Sequence, residues 1–581
     1  MLAAEPPVFP ADGHERELAE AARRHPRLML YAVGWLNTFP IAAVLETTRT
    51  LKGADAEEAL DDLIHKTIRQ MEAQPGGPEA AAALRRLAVC RGGFTLEAAK
   101  ALIGDEAAAL GPLMRWRLVT SDGRRYTIDP LVIEAVGEDE TAHRPHYEFY
   151  KALAWEHDKK QDYLGLDPES ANLEAAFEWA MRAEQYADAY RLYAAVQFFL
   201  PNRGLLAQRK NWLERAATQI LPPPNATAPP ADPDLVAAVQ NSLGILYAQH
   251  PLGDRRANLR HAVAAYESAL VYRTPEAAPL DYAATQNNLG SAYSNLASLE
   301  DRAANLRRAI AVYESALVYW TPEAAPLDYA MTQNNLGIAY GDLSTVEDRA
   351  ANLRRAIAAF EAALVYCTAE AAPLYYAGTQ NNLGEAHRNL AAVEDRAANL
   401  RRAIAAYEAT LVYWTPEAAP LDYAGTQNNL GLAYADLAAV EDQATNLRRA
   451  VAGYEAALVY RTPEAAPLEY AATQSNLGTG YGYLAAVEDR AANLSRAIAA
   501  FEAALVYQTP EAAPLDFART QGNLGFALGE SGDLAGALVC WRRAEAVFRR
   551  MGYIEYADTV AGWIKDAEDA LSGSGDGEAE G

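Results

Sequence analysis

The chain has 581 residues with 77 acidic and 51 basic side chains, a formal net charge of -26. Such a field repels nucleic acid and anionic membrane surfaces, so neither is expected as a partner, and the length calls for several domains or an extended repeat array. Three scattered cysteines (Cys90, Cys367, Cys540) give neither a disulfide framework nor a CxxC metal pair, and there is no basic leader ahead of an apolar run and no 20-residue apolar stretch; the expectation is a cytoplasmic protein with no metal and no cofactor.

In chain order, residues 1–75 read as a helical segment around "RRHPRLMLYAVGWL". Residues 76–140 run helix, turn, helix, helix and then a short hairpin with "SDGRR" at its tip, the order of a winged helix. Residues 141–232 form a helical connector. "LRRLAVCRGGFTLEAAKAL" and "RYTIDPLVIEAV" resemble the winged-helix segment that follows the nucleotide-binding module of bacterial STAND signalling ATPases. "RRHPRLMLYAVGWL" is similar to the lid of that module, with Arg24-His25-Pro26 in place of its Gly-x-Pro, and Asn172-Leu173, Trp179, Arg203-Gly204 and Trp212-Leu213 resemble its connector to a repeat sensor. A GxxxxGK[ST] phosphate loop and a Walker B strand are absent from these residues, so no ATP hydrolysis is expected of the chain itself. The resemblance implies the C-terminal part of such a protein, with Pro26 and His25 at most approaching a nucleotide held elsewhere. Two further sets of side chains are set aside. His143, His146 and His157 lack a completing ligand for zinc, and Arg85, Arg86, Arg115, Arg117, Arg124 and Arg125 are weighed as DNA contacts against the acidic balance.

From residue 233 the text changes. The Asn-Leu pair of "NLRRAI" and its variants recurs at Asn258, Asn305, Asn352, Asn399, Asn446 and Asn493, a strict period of 47. Each unit holds two stretches of helical periodicity, with apolar positions at Tyr282, Leu289, Tyr293 and Leu296 and then at Leu306, Ala309, Ile310, Tyr313 and Leu317. Asp301 is expected to cap the second helix, and Thr274-Pro275-Glu276 to supply a first-turn proline. Leu289-Gly290-x2-Tyr293 followed by Ala309-x3-Tyr313-x2-Ala316 resembles the tetratricopeptide (TPR) pattern, lengthened by 13 residues over the 34-residue unit. The resemblance implies an all-α, right-handed solenoid over 233–571, about seven helical hairpins plus a capping helix "YADTVAGWIKDAEDAL", with small residues where two helices touch and an aromatic beside them. The winged helix and connector precede it, and 572–581 reads as a disordered acidic tail.

The copies differ at few places. Relative to the leucine of Leu-Gly, the residue five before runs Ala284, Met331, Gly378, Gly425, Ala472, Arg519, and two after it Ser291, Ile338, Glu385, Leu432, Thr479, Phe526. Five after, the run is Ser294, Gly341, Arg388, Ala435, Gly482, Gly529, and six after it Asn295, Asp342, Asn389, Asp436, Tyr483, Glu530. At about 100° per residue these offsets share one sector of the first helix, opposite the packing leucine and tyrosine, and in a TPR superhelix that sector lines the concave groove. Asn288, Asn335, Asn382, Asn429, Asn476 and Asn523 stand at its edge, with Asn287, Asn334, Asn381 and Asn428 inside it. Amides both donate and accept, so this row is read as holding the backbone of an extended peptide, while Met331, Glu385, Arg388, Tyr483 and Arg519 read its side chains. The other reading is that the asparagines bond to the neighbouring hairpin. Arg273, Trp320, Trp414 and Arg461, at the end of the second helices, are read as a rim. The basic row from Arg260 through Arg307 and Arg308 to Arg401 and Arg402 is read as a salt-bridged face with the preceding "EDRA" acids.

The expected function is that of a non-catalytic sensor or scaffold of a bacterial STAND-type signalling system, with a protein or peptide ligand in the groove. One alternative makes the chain the regulatory half of a nucleotide-dependent switch whose ATPase and effector lie on another polypeptide, and another makes it a structural array that oligomerises through its ends.

Overall fold

The computed structural model describes residues 15–22, 25–36, 39–51, 56–223 and 229–573. Arg24 and residues 574–581 of the acidic tail lie outside them; Ser572 and Gly573 close the last helix, Ile554–Gly573. The chain divides into two units, Met1–Leu246 and Tyr247–Gly581. The division falls inside the helix Pro233–Gln249, later than the Pro-rich run before it. The start of that helix is tied back into the first unit, with the Ser242 hydroxyl 3.0 Å from that of Tyr190.

In the first unit, helices Glu15–Ala21, Pro26–Trp35, Ile41–Arg49 and Ala56–Glu72 precede the helices Gly77–Leu87, Leu96–Ile103 and Leu110–Arg115. An antiparallel hairpin follows, Val119–Ser121 with Tyr126–Ile128, the only strands among the described residues. At its tip the Asp122 carboxylate accepts from the backbone of Arg124 and Arg125, both at 2.8 Å, which holds its pKa below the usual carboxylate value. The helical connector then packs against this element through one buried polar hub. The Asn172 amide accepts from Arg91 N at 2.6 Å and donates to Gly93 O at 2.8 Å and Glu169 Oε2 at 3.0 Å. Arg125 pairs with Glu169 and donates to Gly93 O at 3.1 Å. A buried amide with this many partners is stable only as a set, because any orphaned member costs its full desolvation.

Among the arginines weighed as DNA contacts, Arg85 pairs with Glu72, Arg86 with Asp139 and Arg125 with Glu169. His143 Nε2 faces Glu138 at 3.2 Å, His146 lies against Tyr150 and 3.5 Å from the Asn172 amide oxygen, and His157 Nδ1 is 2.9 Å from Asp162 O. Each histidine thus has a local protein partner.

The second unit is a run of helix pairs. First helices begin at Pro279, Pro326, Pro373, Pro420, Pro467 and Pro514, and second helices at Arg302, Arg349, Arg396, Gln443, Arg490 and Leu534. Arg255–Leu270 precedes these six pairs and Ile554–Gly573 follows them. The glycine of each Leu-Gly lies on the aromatic of its second helix: a Cβ added to Gly290, Gly337, Gly384, Gly431, Gly478 or Gly525 would stand 2.4–2.8 Å from the ring of Tyr313, Phe360, Tyr407, Tyr454, Phe501 or Trp541. Only glycine allows that approach. Each of those rings is buried, worth about 2–3 kcal/mol of transfer free energy.

Two local expectations are corrected. The helix-starting proline is the last of each loop, Pro279 and its equivalents, not Pro275, because the chain first closes a turn with Ala278 N on Thr274 O at 3.1 Å. Nor does Asp301 cap its helix. Asp301, Asp348, Asp395, Asp442 and Asp489 sit at φ of 35–43°, a left-handed conformation that leaves their carboxylates without a cap bond. The buried Asn305 closes the loop instead, donating Nδ2 to Glu300 O at 2.9 Å, and Asn352, Asn399, Asn446 and Asn493 do the same for their own loops. Where Gly253 takes the left-handed turn, Asp254 is free to cap, accepting from Arg256 N at 2.9 Å.

The arginine row is a salt-bridged face, but its partners are the acids of the next repeat, not the preceding ones. Arg260, Arg307, Arg354, Arg401 and Arg448 form two-pronged pairs with Glu300, Glu347, Glu394, Glu441 and Glu488, each 40 residues ahead. These pairs are largely exposed and screened by solvent, so each adds little to stability.

Candidate functional site: the varied face of the first helices

The asparagine row forms bonds between repeats. Asn335 donates Nδ2 to Asn287 Oδ1 at 3.2 Å, Asn382 to Asn334 at 3.1 Å, Asn429 to Asn381 at 3.4 Å and Asn476 to Asn428 at 3.0 Å. The second asparagine of each pair therefore reaches back to the first of the preceding repeat, a polar ladder along the array. This is the neighbour-bonding reading, and it accounts for the constancy of both positions. Each amide carries two N–H groups and two acceptor sites, so the ladder uses part of its capacity. At the C-terminal end the pattern changes: Ser475 and Thr520 hydroxyls meet at 2.9 Å, and Asn523 donates to Thr479 Oγ1 at 3.4 Å.

Of the residues read as a rim, Trp320 is buried and Arg273, Trp414 and Arg461 are half-buried. Trp320 is buried with Ala283 and Ala316, and Arg273 and Arg461 donate to Thr285 and Thr473 at 2.9 and 3.0 Å. Burial lowers the pKa of Arg461. Trp414 is half-buried and covers Gly378, where an added Cβ would lie 3.6 Å from its ring; at Gly425 the same atom would meet the Arg461 guanidinium at 3.4 Å. The two varied positions of one repeat are thus complementary in size. Trp320, Trp414 and Arg461 accompany Ala284, Gly378 and Gly425, whereas the larger Met331 accompanies Cys367. Much of the variation five before the leucine is packing compensation, although the Met331 side chain itself stays exposed.

The remaining three varied positions face open space between adjacent first helices. Ile338, Gly341 and Asp342 of one repeat and Asn382, Glu385 and Asn389 of the next line a cavity of about 220 Å³, with Leu353 and Phe360 behind them. A second cavity of about 320 Å³ lies further along, between Thr479, Gly482, Tyr483 and Asn523, Phe526, Glu530, over Leu494, Phe501 and Ala527. Both open where the residue five after the leucine is glycine, and a Cβ on Gly341 or Gly482 would meet nothing within 4 Å. Between them Arg388 occupies that position and reaches Asp436 at 3.4 Å. Glu385, Tyr483 and Arg519 are exposed as a reading face requires. The lining residues Gly341, Gly482, Ile338 and Phe526 were visible only as members of the varied rows; their glycines signal an opening by what they lack.

Four repeats share one contact and two depart from it, the last by placing Leu528 there. Tyr293, Tyr340, Tyr434 and Tyr481 donate to Glu267, Glu314, Glu408 and Glu455 at 2.6–3.2 Å and lie under Arg308, Arg355, Arg449 and Arg496. His387 takes that place in the third such repeat, buried, with Nδ1 3.1 Å from Asn399 Oδ1, and burial lowers its pKa.

No protein-family model and no curated protein matches the sequence. Among solved structures, the chain is similar to a STAND protein with a tetratricopeptide repeat sensor from Pyrococcus horikoshii, at a TM-score of 0.52 and 13% identity over 94% of this chain and 74% of that one. The apo form of the quorum sensor NprR from B. thuringiensis matches at a TM-score of 0.38 and 14% identity, over 74% of this chain and 99% of that one. A TPR repeat-containing protein from Cytophaga hutchinsonii matches at 0.32 and 14%, over 55% and 97%. With the helix pairs and the Leu-Gly/aromatic contacts, the first of these gives the class: an all-α TPR-type solenoid preceded by further helical elements. No helix among the described residues is long and apolar enough to cross a membrane.

Proposed function

We propose that the chain is a non-catalytic sensor or scaffold that binds a peptide or protein segment on the varied face of its first helices. The observation that carries this reading is a coincidence: three of the positions that differ between otherwise near-identical repeats, those two, five and six after the leucine, are the ones that line the two cavities. Drift on a solvated surface gives no reason for that coincidence. The ligand rests on the cavity-lining residues and on the free valences of Asn382 and Asn523, which line them, while the rest of the ladder holds the repeats together. Changing the asparagines would damage the array, so the test uses substitutions that fill the openings: Gly341→Leu with Gly482→Leu in one chain, compared with wild type in pull-downs from native lysate read by mass spectrometry. A partner held by wild type and lost by the filled variant, at equal helicity and melting temperature, is the expected result. Identical partner sets for the two chains overturn the reading.

The resemblance of the front elements supports a place in a bacterial STAND-type system, in which ligand binding is passed to a separate ATPase or effector. The Asn172 hub supports it in physical terms, since it makes the winged-helix-like element and the connector move as one body. Mixing the chain with a candidate ATPase and titrating ATP tests this part; an unchanged nucleotide affinity counts against it.

A further inference from the structure

The larger cavity has the chemistry to specify its occupant. Its walls carry two large exposed aromatics, Tyr483 and Phe526, at 59% and 43% exposure, where other repeats place Asn, Asp or Glu and Ser, Ile, Glu, Leu or Thr. The Phe526 ring is held edge-on by Trp563 at 4.3 Å and by Trp541 at 5.6 Å, so this wall is preorganised. Leu494, Phe501 and Ala527 make the floor apolar. Along the same helix, Arg519, Asn523, Phe526 and Glu530 fall on one side within a narrow sector. The varied rows contain two cations, Arg388 and Arg519. Arg388 is paired with Asp436, and Glu530 with Arg490, whereas Arg519 is exposed and has no ion-pair partner among the described residues. Seven residues of helix place its backbone about 10 Å from that of Phe526, the span of about three residues of extended chain.

Building on the groove reading above, we infer that this cavity binds an extended peptide by an aromatic side chain, seated between Tyr483 and Phe526, with a carboxylate about three residues away held by Arg519. The carboxylate belongs to an Asp or Glu side chain. An aromatic ring gains stacking on both walls, and the acidic group finds the cation that the fold leaves unpaired.

The probe is a phage-displayed library of random dodecapeptides selected on the full chain, with the selected sequences then synthesised, labelled and titrated by fluorescence polarisation. Peptides enriched in Phe, Tyr or Trp with Asp or Glu about three residues away are expected. Their affinity should fall at least tenfold on Gly482→Leu, whose Cβ meets nothing within 4 Å and whose helix propensity exceeds glycine's, and at least tenfold on Arg519→Glu. Enriched peptides of another pattern, or affinities unmoved by either change but lost on Gly341→Leu, overturn this inference and leave the groove reading standing. Peptides that bind equally to all three variants, or no enrichment, overturn both.

Discussion

A glycine in the middle of a first helix means opposite things at two positions. Gly384 is there because the Tyr407 ring is 2.7 Å from where a Cβ would be, whereas Gly341 has nothing within 4 Å. Alanine at Gly341 should therefore stabilise by about 0.5–1 kcal/mol through helix propensity. The same change at Gly384 should destabilise by about 1–3 kcal/mol through overpacking; urea midpoints of the two variants check the sign. The buried histidines set a pH dependence. Burial, only partly offset by the Asn172 amide, lowers His146 to about 4, so the folded chain holds it neutral while the unfolded chain takes up a proton near the ordinary value of about 6.5. The unfolded state then binds more protons between those values, and stability should fall as pH drops from about 6.5 towards 4, with His146→Gln flattening the slope in thermal melts.

Between repeats, the amide ladder and the Gly/aromatic contact act together. Asn429→Ala should cost about 1 kcal/mol, and a double-mutant cycle with Asn381→Ala should show a coupling of at least about 0.5 kcal/mol, whereas pairing Asn429 with the distant Asn287 should be additive. How much of this was legible follows from range. The helix pairs were read from a spacing that repeats along the chain, their aromatic and small-residue contacts were implied by the TPR resemblance, and the hairpin of the first unit was read from the turn residues at its tip. The partner of each asparagine was not, because 48 residues separate Asn335 from Asn287 and both a ligand and a neighbour satisfy an amide equally well on paper. Trp320 and Arg461 were misplaced for a related reason: a bulky residue at a helix end looks like an anchor until the small residue opposite it, 36 positions earlier, is seen to make room for it. The left-handed aspartates were missed because Asp is also a favoured helix cap, and only the backbone angle separates the two roles.

At the level of the whole array, each repeat meets mainly its two neighbours, so stability is close to a sum over units and their interfaces. Excising Thr368–Trp414, one complete repeat of 47 residues, should leave a chain with unchanged helicity per residue and a modestly lower melting temperature, measured by circular dichroism. Asn429 then meets Asn334, and Arg354 meets Glu441, in place of the partners they lose. A collapse of helicity would show that the array depends on longer-range order. The excised piece contains both Gly378 and Trp414, the two halves of one size-matched fit. Because that fit closes within a single unit, a genome can gain or lose the whole unit in one recombination event without a second, compensating mutation. The number of binding surfaces then changes by duplication alone, and point changes at the cavity-lining positions can follow afterwards, copy by copy.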